Sequence, residues 1–165
     1  MVDRISRHYR RTTALMVLLF AALGMATQCH DVFVPFPEGE AALDSSQRQV
    51  LDKLRSQKSH EVLALAKINE SAIGQASVNF NLTADKQFRA SHMTVEPSDQ
   101  PGRLTWRGDL DEGAGKVLLT RRDENFTGTI STREAVYQVR PLGSGVHAIV
   151  RLNPAGFPPD HPGEM

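Results

Sequence analysis

The residues with the clearest potential for metal chemistry lie close to the C-terminal end of the sequence. Asp160 and His161 are adjacent, and Glu164 follows them. Carboxylates and imidazoles are ligands that zinc accepts in proteins, and the prolines on both sides of the pair oppose folding back into a core. The segment is therefore interpreted either as a solvated tail or as a peptide that reaches into the metal site of another protein.

The remaining motifs are incomplete for catalysis. His60-Glu61 begins a His-Glu-x-x-His zinc motif, but position 64 is alanine and the surrounding pattern is that of a strand. The glycines of Gly143-Ser144-Gly145 are too close to the serine for a nucleophile elbow. We therefore predict a strand edge at His60-Glu61 and a tight turn at Gly143-Ser144-Gly145. A small hydrolase that uses Asp160 and His161 would have no nucleophile to accompany them.

Acidic side chains cluster at Asp109, Asp111 and Glu112, in a segment that the pattern predicts to be a turn. The spacing is only a fragment of a calcium-binding loop, and the sequence predicts no helices beside it. Carboxylates in such turns are usually solvated. We therefore expect no cofactor and no intrinsic metal site.

The N-terminus has the features of a secretory signal. Arg4, Arg7, Arg10 and Arg11 precede an uncharged apolar run over residues 14–26, which is too short to span a bilayer as a helix and suits the core of a signal peptide. We expect cleavage after Ala26, which would make the product periplasmic or secreted. The alternative is an uncleaved membrane anchor.

Cys29 is the one cysteine of the sequence, so an internal disulfide is impossible. Lipidation would require it to be the first residue after cleavage, and Gln28 before it fits a lipobox poorly. The alternatives are a free thiol or an intermolecular disulfide. Any contact with a membrane is expected only through the signal anchor or such a lipid.

Size and charge limit the class of protein. A chain of 165 residues holds one modest hydrophobic core, and 19 basic against 19 acidic side chains provide no basic field for nucleic acid. Four of the arginines lie in residues 1–26, so the exported part would carry a net charge of about −3.

The rest of the sequence predicts a mainly β (α+β) domain. Residues 27–42 form a proline-rich lead-in, and residues 43–152 form the domain, which begins with one short helix over residues 45–56. Alternating apolar residues then predict about seven strands, in an antiparallel meander that closes as a sandwich or half-barrel. Trp106 and Tyr137 are expected to anchor its core, with a ligand platform as the alternative for Trp106. Residues 153–165 form a proline-rich tail that we expect to be extended.

The second half of the sequence carries five short motifs whose order and spacing form a recognisable pattern. They are Leu104-Thr105-Trp106-Arg107-Gly108, Phe126-Thr127-Gly128-Thr129-Ile130, Ala135-Val136-Tyr137-Gln138-Val139-Arg140-Pro141-Leu142-Gly143, Gly145-Val146-His147-Ala148-Ile149-Val150, and Phe157-Pro158-Pro159-Asp160-His161-Pro162. In this order they resemble the N-terminal propeptide region of secreted bacterial zinc metallopeptidases of the reprolysin-like and peptidyl-Asp type. The resemblance covers approximately residues 60–162.

The resemblance implies a non-catalytic domain that assists folding of a zinc metallopeptidase or keeps it inactive, in cis or in trans. The β-domain would dock beside the active-site cleft, for example by edge-strand addition, and would lay the tail along it. The residues expected to contact the protease are Pro154, Phe157, Pro158, Pro159, Asp160 and His161, and the last two are candidates to contact its zinc. Cys29 lies at the wrong end of the domain for that role.

Two further hypotheses stay open at this point. An envelope-associated structural or adhesion module could share the fold without a protease partner. A truncated protease precursor would have no independent activity. Both are compatible with a sequence that ends where the linker to a catalytic domain is expected.

Overall fold

The computed structural model describes residues 30–157, which form one strongly curved sheet and one α-helix. The helix, α1, spans Ser45–Arg55. Short 3₁₀ turns lie at Glu40–Ala42, Glu70–Ala72, Asp111–Gly113 and Pro154–Gly156. The ten strands are β1 (His30–Asp31), β2 (Phe33–Pro35), β3 (His60–Ile68), β4 (Ser77–Thr83), β5 (Lys86–Pro97), β6 (Arg103–Leu110), β7 (Gly115–Arg122), β8 (Asn125–Thr132), β9 (Val136–Gly143) and β10 (Val146–Leu152).

Strands β4 to β10 follow one another as an antiparallel meander, and β3 pairs with β10 at its far side. The turns between them contain the residues that tight connections require. Between β9 and β10, Ser144 and Gly145 have φ values of 50° and 71°, and positive φ at both positions is typical of the hairpin turn whose twist matches that of the strands.

The first two strands close the sheet. β1 pairs in parallel with β4, and β2 pairs antiparallel with β3. Between them, the N–H of Val32 donates to the carbonyl of Asn79 at 2.8 Å, and the carbonyl of Val32 accepts from Asn69 at 2.9 Å. Residues 30–35, which we call the closing segment, thus join the two ends of the meander into a nearly closed barrel.

The prediction of a mainly β fold with one short helix is confirmed, but the strand number is wrong. The sheet has ten strands rather than about seven, and it is nearly closed rather than a sandwich or half-barrel. Part of the proline-rich lead-in is strand β2. Its Pro35 is compatible with this because it lies at the end of the strand, where a missing N–H is tolerated. The predicted signal-peptide helix lies outside the described residues.

The main core fills the inside of the barrel. Phe33 of the closing segment packs on Phe80, and Phe80 packs on Trp106, with ring centroids 5.8 and 6.0 Å apart. Trp106 and Tyr137 are both buried in this core. Trp106 has no exposed surface, which leaves no platform for a ligand there.

A second, smaller core lies outside the barrel, under α1. Leu51 and Leu54 of the helix pack on Val146, Ala148 and Val150 of β10. Strand β10 is therefore buried on both faces, because its other side chains point into the barrel. The helix begins with a capping box, in which the side chain of Asp44 accepts from the Gln47 N–H at 2.8 Å and the Gln47 side chain accepts from the Asp44 N–H at 3.0 Å.

Candidate functional site

The first residues of the predicted protease-binding tail, 153–156, which we call the tail root, are attached to the barrel. The N–H of Asn153 donates to the carbonyl of Ser59 at 2.8 Å, and Gly156 passes so close to the backbone of Lys58 that an added Cβ would lie 2.4 Å from it. The tail was expected to be extended, but it starts with a 3₁₀ turn, because Asn153 caps Ala155 and Pro154 takes the first helical position.

The described residues include only the start of the tail. Phe157 follows the turn with half of its side chain exposed. Four of the predicted contact residues, Pro158, Pro159, Asp160 and His161, lie outside the described residues, as does Cys29. The described residues therefore place the tail as far as Phe157.

A polar cleft of about 450 Å³ lies beside the tail root, where β3 begins and β10 ends. Glu61 and Arg151 form an ion pair of 3.6 Å across these strands. Burial, assisted by the positive charge of Arg140, lowers the pKa of His60 below its usual range, which favours the neutral imidazole at pH 7. The predicted strand edge at His60-Glu61 thus contributes one imidazole and one paired carboxylate to this cleft.

In the acidic turn after β6, the carboxylate of Asp111 interacts with other side chains of the same chain. Asp111 accepts a hydrogen bond from Ser91 and lies 3.4 Å from the guanidinium of Arg89. Within residues 30–157, no group of three or more His, Cys, Asp or Glu side chains has an arrangement that could hold a metal ion.

A second cleft, about 610 Å³ in volume, opens beside the closing segment. The closing segment pairs with β4 only at Val78 and Asn79, and then moves across to β3. The cleft lies in the resulting gap, and most of its lining residues are apolar. Its lining includes Phe33, Val34, Leu63, Ala64, Asn81 and Leu82.

Part of one side of β3 next to this cleft has no strand partner, although at its start the N–H of His60 donates to the carbonyl of Gln57 at 2.9 Å. Strand β10 pairs with β3 over residues 60–67, whereas β2 occupies the opposite side only at residues 66–68. The last hydrogen bond on that opposite side runs from the N–H of Phe36 to the carbonyl of Leu65 at 3.0 Å. Among the described strands none pairs there with residues 60–64, which we call the open edge.

This cleft was not predicted from the sequence. Its apolar lining residues Leu63, Ala64 and Leu65 are visible in the sequence, but which side of a strand stays unpaired depends on the path of residues 30–35. None of the helices in the described part of the chain has both the length and the apolar character needed to cross a bilayer.

Comparison with curated proteins relates the chain to part of a group of bacterial enzymes. It is 25% identical over 137 residues to a peptidyl-Asp metalloendopeptidase of Xanthomonas campestris pv. campestris, an alignment that covers 75% of this chain and 33% of the enzyme. Identity to the peptidyl-Asp metalloendopeptidase of Stenotrophomonas maltophilia strain K279a is 26% over 163 residues, which covers 88% of this chain and 38% of the enzyme.

The likeness is therefore distant and partial. The chain spans little more than a third of the length of these curated relatives. No family profile matches the sequence, and no solved structure matches it. These findings are consistent with a region of a metallopeptidase.

Proposed function

We propose that the chain is an exported, non-catalytic domain that binds a zinc metallopeptidase in the manner of a propeptide, and inhibits it or assists its folding. The observation that carries this proposal is the partial alignment: most of this chain matches about a third of the peptidyl-Asp metalloendopeptidases.

The mechanism that fits this geometry is steric. The barrel would dock beside the active-site cleft of the protease, and the tail root would direct residues 158–165 into it. The hydrogen bond from Asn153 to Ser59 holds the start of the tail against the barrel, which would lower the entropy lost on binding. Asp160 or His161 would then replace the water on the zinc of the protease. The prolines of the tail, which lack an N–H, would oppose its cleavage.

An inhibition assay tests the proposal. The purified chain is titrated into the Xanthomonas campestris peptidyl-Asp metalloendopeptidase, and hydrolysis of a peptide substrate is followed. We expect inhibition at micromolar concentration or below, and a higher yield when the peptidase is refolded with the chain present. The matched control is the chain truncated after Phe157, which keeps the barrel and loses the tail. The absence of any effect on hydrolysis and on refolding would contradict the proposal.

A further inference from the structure

A groove with basic side chains along its length lies on the outside of the barrel, beside α1. One part of it is a cleft of about 370 Å³ between α1 and β9. The other part is a cleft of about 820 Å³ beside the turn between β7 and β8 and the end of β9. The two clefts share Thr127 and Pro141 as lining residues, so they adjoin. Together we call them the basic groove.

Four cationic side chains line the basic groove without acidic partners. They are Lys53 and Arg140 in the first cleft, and Arg103 and Arg122 in the second. None of the four forms an ion pair with another residue of the range 30–157. Arg103 and Arg122 are direct cross-strand neighbours, and like charges at such positions repel each other. Asp123 is the one carboxylate among the described lining residues, so the groove keeps an excess of positive charge that favours an anionic occupant.

The first cleft also has apolar lining. Val50, Leu54 and Pro141 contribute to it, and Val50 is 37% exposed. Proline rings would cover this surface, and the removal of apolar area from water favours binding. The basic groove thus suits a segment that contains both carboxylates and prolines.

The tail of this chain has that composition. Residues 158–165 contain three prolines and the carboxylates of Asp160 and Glu164, without any lysine or arginine. The charge of residues 1–29, with four arginines and one aspartate, opposes their binding in the groove. A segment of another molecule would compete with a tethered tail, whose effective concentration is in the millimolar range for a short connection.

The tail root lies at one end of the basic groove. Gly156 packs on the backbone of Lys58, and Gln57, the preceding residue, lines the first cleft. The positive charge of Arg140, also in that cleft, helps to lower the pKa of His60 beside the tail root. The tail therefore starts next to the groove.

The length of the tail matches the length of the groove. Strand β10 runs from Val146, beside the end of β9, to Leu152, beside the tail root, a length of about 20 Å. An extended, proline-rich chain rises about 3.1 Å per residue, so Asp160 can lie about 9 Å and Glu164 about 22 Å from Phe157. The nearer carboxylate can thus reach the cations of the first cleft, and the farther one those of the second.

We propose that the basic groove is a docking surface for the tail of the same chain. Asp160 then lies beside Lys53 and Arg140. Glu164 lies beside the two arginines of the second cleft. Because exposed ion pairs are individually weak, the tether and both pairs together hold the tail. The placement concerns the chain without a partner and does not rest on the proposed function; a protease that takes up the tail would displace it from the groove.

Paramagnetic relaxation in NMR spectra tests this placement. The chain carries Cys29→Ser, and a nitroxide is attached to the single thiol of Met165→Cys. We expect the label to broaden the amide signal of Thr127 in the groove. The signal of Asn79 on β4, four strands away from β8 in the sheet, should stay sharp. Added salt should weaken the broadening, because it screens exposed charges.

Charge reversal separates docking from mere proximity. Asp160→Lys combined with Glu164→Lys should lower the broadening at Thr127 about fivefold, because attraction becomes repulsion. Arg122→Glu should also lower it. The matched control is Lys116→Glu, at another exposed position of β7 outside the groove, which should leave the broadening unchanged.

The possible outcomes are distinct. If the signal of Thr127 stays sharp in the labelled chain, or if charge reversal in the tail leaves it equally broadened, the placement is refuted. A mixture of spin-labelled chain with isotope-labelled chain that lacks the nitroxide tests for exchange between molecules. Broadening in that mixture would assign the groove to the tail of a second copy and refute docking within one chain. Since no protease is present, inhibition of the peptidase by a chain with a sharp Thr127 signal would leave the proposed function standing.

Discussion

The backbone N–H of Phe126 donates a hydrogen bond of 2.9 Å to Nε2 of His147 inside the barrel. Because Nε2 accepts, the imidazole is neutral and its proton is on Nδ1. Burial lowers the pKa of His147 to about 4, although the carbonyls of Gly145 and Ala66 partly oppose the shift. Protonation would remove the bond to Phe126 and leave a charge in the core.

This arrangement predicts a barrel that is sensitive to mild acid. In the unfolded chain the pKa of His147 is near 6.5, so between pH 6.5 and pH 4 the unfolded state binds more protons than the folded state. The free energy of unfolding should thus be constant above about pH 7 and fall by up to about 3 kcal/mol towards pH 4. Urea unfolding at a series of pH values measures this.

The matched variants are His147→Gln and His92→Asn. Gln keeps an acceptor for Phe126 but does not titrate, so this variant should lose most of the pH dependence between pH 6.5 and pH 4. His92 is exposed, and its replacement should leave the dependence unchanged. An identical pH profile in His147→Gln would show that other groups cause the acid sensitivity.

Gly128 predicts a second effect on stability. It lies on β8 opposite Leu119, and an added Cβ would stand 2.0 Å from the carbonyl oxygen of Leu118. Relief of this clash would require the strands to separate, so Gly128→Ala should destabilise the barrel by about 1–3 kcal/mol. Thr129→Ala, at the next position, is the control and should cost much less. Thermal unfolding of both variants, followed by circular dichroism, compares the costs. The close approach also gives a physical reason for glycine within Phe126-Thr127-Gly128-Thr129-Ile130.

Gln47 connects the helix to the sheet, and its loss should be costly. Besides its part in the capping box, it donates through Nε2 to the carbonyl of Gly143 at 2.9 Å. Gln47→Ala removes both bonds and leaves that carbonyl without this donor, which we expect to cost about 2 kcal/mol. Ser46→Ala, at an exposed neighbouring position, is the comparison. Equal midpoints of chemical denaturation for the two variants would argue against the connection.

The tail provides a prediction about inhibition. If Asp160 or His161 contacts the zinc of the protease, replacing the residue that does so by Ala should raise the inhibition constant at least tenfold. Glu164→Ala should change it little. The three inhibition constants, measured against the Xanthomonas campestris enzyme, decide this. If both Asp160→Ala and His161→Ala inhibit normally, the tail acts without a zinc ligand.

Local features of the fold were accessible from the sequence. Asp44 or Ser45 as the capping residue and the spacing of Leu51 and Leu54 predict a helix over residues 45–56, and the structure has it at Ser45–Arg55. The alternating strands and the turn at Ser144 follow from local chemistry in the same way. The formation of such elements depends on residues within a few positions in the sequence.

The features that the sequence did not predict depend on distant contacts. The closing segment pairs with β4 from more than forty positions away, for example Asp31 with Asn79, and its Pro35 hides the strand pattern. The open edge of β3 exists only because this segment leaves the sheet after Pro35. The cleft beside the closing segment can therefore be found only once the strand topology is known. The motif around Asp160 and His161 can be read from the sequence, but it lies outside the described residues.

The closing segment also has a consequence for the order of folding. Its partners in β3 and β4 are synthesised some thirty to fifty residues later, so the loops that must close are long and their entropic cost delays pairing. Until then both ends of the meander are unpaired and prone to contact other chains. The time that this short stretch needs to pair therefore sets how long the ends of the meander stay open to contacts with other chains.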